Sequence, residues 1–185
     1  MLKLTVKVLL VSALLACNVY AAESKLEASL GNNETVLKYE SYDSGTMGGS
    51  FDVKFTAMVV TDPVKATTVA SGVKVTILGD KDAKSVVYLD LEEVQNLSNA
   101  ITLVKSISEK NATEKLEANT EVVYSSKGGF KFGYLNRGTG AGMFDSKSSL
   151  FIRTPAMEST FKDDEKRFGQ LQTIIASVLF NVSKK

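Results

Sequence analysis

The sequence predicts an α+β fold in which antiparallel β-sheet packs against two amphipathic helices. Two observations carry that expectation. Short runs rich in valine, threonine, tyrosine and phenylalanine are bounded by glycine and aspartate clusters, the pattern of hairpin-connected strands. Two other segments switch to apolar spacings of three and four, the mark of a helix with one buried face.

The chain opens on a different kind of signal. Lys3 and Lys7 precede and flank an apolar run from Val8 to Ala16, followed by small residues, so residues 1–21 read as a secretory signal peptide. That run falls short of the roughly 18 to 20 apolar residues needed to span a bilayer, and no later segment reaches that length. Two processing sites compete. Val19 and Ala21 suit an ordinary cleavage that leaves Ala22 first, giving a periplasmic or secreted protein. Leu14-Leu15-Ala16-Cys17 resembles a bacterial lipobox, in which Cys17 is lipidated and anchors the chain to the membrane. Membrane contact is expected only in that second case.

Residues 22–185 read as a single exported domain. A polar lead-in from Ala22 to Asn33 precedes the runs TVLKYES, FDVKFTAMVVT, GVKVTIL and SVVYL, with YDSGTMGG, DPVKATT and GDKDAK as their separators. Leu91, Val94, Leu97, Ile101, Val104 and Ile107 then lie on one face of a helix expected from Leu91 to Glu109. Asp90 and Glu93 have the spacing of a capping box. A second set of strands follows, TEVVYSS, GFKFGYLN and SSLFIR. A closing helix carries Phe168, Leu171, Ile174, Ile175, Val178 and Leu179 on one face, with Asp163, Asp164 and Glu165 at its start, where acids suit the helix dipole.

Both halves thus read as strands followed by one helix, suggesting sub-repeats at 34–110 and 119–183. VVYLDLEEVQNL pairs loosely with LFIRTPAMESTFKDDEKRFGQL, the second carrying an insertion around Pro155. With its L-x-L step into the helix at Leu89-Asp90-Leu91, this unit resembles those of the whirly and positive-cofactor family of single-strand DNA-binding folds. The resemblance implies a topology. The nucleic-acid role that comes with it fits poorly with an exported protein, and no binding residue carries over.

Composition narrows the chemistry. There are 22 basic and 21 acidic residues, and the leader removes two lysines and no acid, so the mature net charge is −1. That balance disfavours a nucleic-acid or other polyanion partner. Cys17 is the sole cysteine, which excludes a disulfide framework. About 160 residues can bury roughly two-thirds of their unfolded surface, so packing alone suffices for a core. The absence of histidine excludes Ser-His-Asp and Cys-His nucleophile systems and HExxH zinc sites.

Other motifs fail on context. Ser71-Gly72-Val73-Lys74 and Ser159-Thr160-Phe161-Lys162 match SxxK, yet neither KTG nor SDN accompanies them, and the first falls in an expected strand where the motif needs a helix. Asp80 and Asp82 lack the further ligands of a calcium loop. The stretch NRGTGAGMF has the glycines of a phosphate cradle but connects two strands instead of opening a helix. No cofactor, no metal and no catalytic residue is expected.

Charge along the chain offers the one candidate site. Between Val122 and Arg153 the cations Lys127, Lys131, Arg137, Lys147 and Arg153 face Asp145 alone. Lys131 and Arg137, with Gly138, Gly140 and Gly142 of the connection, are the candidate ligand-binding residues for an anionic partner: a lipid headgroup, a glycan carboxylate or an acidic protein face. Phe130, Phe132 and Tyr134 share one strand face and are expected in the core. The functional expectation is an exported cell-envelope protein with a non-catalytic binding or assembly role. An enzyme built on carboxylates, tyrosine or lysine, and a nucleic-acid-binding module of the whirly type, are the alternatives.

Overall fold

The computed structural model describes residues 23–31, 34–113, 119–138 and 148–184. Among the described residues the fold is α+β, with two four-stranded antiparallel sheets and three α-helices. The first sheet is a meander of β1 (Lys38–Met47), β2 (Asp52–Asp62), β3 (Thr67–Leu78) and β4 (Lys84–Asp90). The helix α2 (Leu91–Thr113) follows it directly. The second sheet repeats that order with β5 (Thr120–Ser125), β6 (Lys131–Asn136), β7 (Ser148–Arg153) and β8 (Glu158–Lys162), and then α3 (Glu165–Ser183). A short helix, α1 (Lys25–Gly31), stands before all of these.

Strand alternation decides which faces meet. Val53, Phe55, Ala57 and Val59 of β2 turn inward, and so do Phe132 and Tyr134 of β6 and Leu150 and Ile152 of β7. With the apolar stripes of α2 and α3 they form one continuous core. The two helices pack on each other; α3 lies against β1, β2 and β3, while α2 touches strands of both sheets. Both sheets therefore share one interior.

Polar stitches run beside the apolar ones. The Ser159 hydroxyl, on β8, donates to the Phe51 carbonyl at 2.6 Å, and the Ser50 amide donates to the Thr160 carbonyl at 2.9 Å. The turn between β1 and β2 thereby covers the open edge of β8, which would otherwise present unpaired amides. The Thr154 hydroxyl donates to the Ser85 hydroxyl at 2.8 Å, joining the end of β7 to the start of β4.

Several boundaries differ from those expected. β1 runs on through YDSGT, because Gly45 adopts φ +135° at a bulge and keeps the strand paired beyond it. α1 occupies the stretch expected to be a polar lead-in. The segment expected as an insertion around Pro155 contains β8, so the strand that enters α3 is ESTFK, and LFIR belongs to β7. Both SxxK matches lie in strands, β3 and β8. Among the described residues no helix is long and apolar enough to cross a membrane. The leader, Cys17 included, lies outside the described residues.

Candidate functional site

The expected site residues separate in space. Lys131 and Arg137 sit at opposite ends of β6, which at about 3.3 Å per residue sets them roughly 20 Å apart. At the far end, Asn136 organises the chain from within: its amide nitrogen donates to the Tyr134 hydroxyl, and its oxygen accepts the Gly138 amide, both at 2.8 Å. Gly138 is buried there, with φ +58°. Gly140, Gly142 and Lys147 lie outside the described residues.

Lys131 belongs instead to an array that the topology builds on the outer face of the second sheet. Directly paired residues share a face. The pairing gives one row of Ser125, Lys131, Arg153 and Glu158, and a second of Val123, Gly133, Phe151 and Thr160. A third holds Glu121, Leu135, Ser149 and Lys162.

The centre of the array is an aromatic ring under a charged cover. Phe151 lies over Gly133, where an added Cβ would come within 2.6 Å of the ring. The Arg153 guanidinium stands 4.8 Å from the centre of the same ring. It is held on one side by a hydrogen-bonded ion pair with Glu158 and reaches Glu121, at 3.8 Å, on the other. Phe151 is accordingly only 3% exposed although it faces away from the core. Val123, beside it, is 40% exposed.

The locally basic stretch thus meets acids in three dimensions at Arg153. Glu121 and Glu158 flank it in sequence and return to pair with Arg153. Counting Lys131, Arg153 and Lys162 against these two carboxylates, the outer face carries interleaved charges of both signs. Phe130, Phe132 and Tyr134 are at most 1% exposed and line the opposite, inner face. Of this array, sequence reasoning singles out Lys131 and not Val123, Phe151 or the two acids. The available signal was Gly133 inside FKFGYLN, since a glycine within a strand marks a close approach.

A cleft of about 260 Å³ lies elsewhere, lined among others by Lys25, Ser71, Asp90, Glu93 and Lys127. Two of the acids that line it, Asp90 and Glu93, are committed to backbone amides. Glu93, only 6% exposed, accepts from the Asp90 amide at 3.0 Å and the Lys127 amide at 2.8 Å. The Asp90 carboxylate accepts from the Lys25 and Leu26 amides at 3.0 and 2.9 Å. Half of the expected capping box is therefore present, with Glu93 reaching back, while the Asp90 side chain turns to the start of α1. These carboxylates work as clasps that fix backbone.

Comparison with known proteins gives no relative: no family model, no curated protein and no solved structure matches the chain.

Proposed function

We propose that the protein is an exported cell-envelope component with a non-catalytic binding or assembly role, and that the outer face of the second sheet is its working surface. The observation that carries this reading is the array around Phe151: an ordered, ion-paired centre with an exposed valine at its side. Interleaved charges around a small apolar centre suit a protein partner of complementary pattern, because such patterns fix register and reject wrong partners. A polyanion would meet the carboxylates of Glu121 and Glu158. The clasping use of Asp90 and Glu93 in the cleft further supports a structural over a catalytic role for those acids. The leader of residues 1–21 supplies the expectation of export.

The test is a co-purification from the host envelope with single substitutions on each sheet. Lys131→Glu and Val123→Glu on the second sheet are expected to lose the partner that the wild-type chain retains. Val86→Glu, at a comparably exposed valine on the first sheet, is expected to keep it. Retention by both second-sheet variants, or turnover of an envelope substrate by the purified chain, would overturn the proposal.

A further inference from the structure

We propose that α1 is a releasable strap, held over the outer face of the first sheet by the carboxylate of Asp90. A helix of seven residues is too short to persist alone in water, so Lys25–Gly31 is helical because it is docked. Polar and apolar contacts along its length dock it. The Asp90 carboxylate accepts two amides of its first turn, which the helix cannot satisfy internally. Leu26 is fully buried and packs with Met58, Val60 and Ala70. Near the other end, the Tyr39 hydroxyl donates to the Ser29 carbonyl at 3.0 Å.

The apolar cluster under the strap is separate from the main core. α1 can therefore leave without opening the shared interior. Its departure uncovers Met58, Val60 and Ala70 on a sheet face whose neighbouring outward positions include Thr56, Lys74 and Thr76. Docked, the strap keeps that part of the face closed; released, it turns it into an apolar patch beside the cleft. The clasp depends on one side chain that serves no other helix, because the start of α2 is held by Glu93. This device lies on the first sheet and does not rest on the binding role assigned to the second.

Native-state hydrogen exchange on the full chain, read by NMR, tests the strap. The Ala28 amide, which donates to the Ser24 carbonyl at 2.9 Å, is expected to exchange through a local opening. It should do so at least about 100-fold faster than the amides of Val59 and Val75 in the centre of the first sheet. Asp90→Asn is expected to speed Ala28 a further tenfold or so, leaving Val59 and Val75 unchanged, and to raise the fluorescence of a bound apolar dye. Leu26→Ala should show the same selectivity. An Ala28 amide as slow as Val59 in the wild-type chain would overturn the proposal, as would an Asp90→Asn variant that moves all three amides alike or none.

Discussion

Tyr124 shows how one side chain joins the two halves of the chain. Its hydroxyl donates to the Glu93 carbonyl at 2.9 Å, linking β5 to the first turn of α2. Burial, and to a lesser degree the charge of Glu93, push its phenol from the ordinary value near 10 up to about 12. In the unfolded chain the proton leaves near pH 10, while the folded chain keeps it until about 12. Between those values the unfolded state binds fewer protons, so stability falls as pH rises; below pH 10 this contribution is fully present. Tyr124→Phe is expected to cost about 1 kcal/mol near neutral pH through the lost hydrogen bond. It should also flatten the alkaline decline, leaving a residual slope from Tyr88, whose phenol burial likewise raises. Urea midpoints across that pH window check both effects. None of this was legible in the sequence, because Glu93 and Tyr124 are 31 residues apart and meet only through the packing of β5 on α2.

Elements were legible in proportion to the length of their pattern. α2 and α3 each repeat an apolar spacing over five turns or so, and both were placed within a few residues of their observed bounds. α1 shows only one fully buried apolar residue, Leu26, and β8 only one buried aromatic, Phe161, within five residues. Neither supplies enough periods to stand out from a loop. β1 was cut short because Gly45 and its neighbours read as a turn, whereas the bulge absorbs the glycine and continues the pairing. At the start of α3 the acids divide their work. The Asp164 carboxylate accepts the Arg167 amide at 2.8 Å as the N-cap, and the Asp163 carboxylate accepts the Ser108 hydroxyl at 2.7 Å. Asp164→Ala is expected to lower stability by about 1 kcal/mol, read as a shift in thermal midpoint with unchanged secondary structure. Asn at the same position should restore most of it.

At the scale of the whole molecule, what positions the candidate surface is the shared interior. The inner faces of both sheets close on α2 and α3, and the stitches at Ser159, Thr154 and Glu93 tie one half to the other through hydrogen bonds. The second sheet then presents Val123, Phe151 and Arg153 as a fixed array. Sequence-local charge singles out Lys131, which shares a row of that array with Arg153. It does not reveal the neighbours, because Arg137 lies at the other end of β6 and the acids Glu121 and Glu158 that pair with Arg153 sit just outside the basic stretch. Charge in sequence does not map onto charge in space where a meander folds flanking residues back over a strand.

The binding face proposed for the second sheet is fixed only if the two halves hold together as one body. The most direct test follows the methyl signals of Val59 and Ile77 in the first sheet and Leu150 and Ile152 in the second through a urea titration of the purified chain. One midpoint and one slope for all four are expected, as for a single cooperative unit. A second sheet that melts at a lower urea concentration, while the first keeps its native signals, would contradict the shared core and the rigid surface built on it.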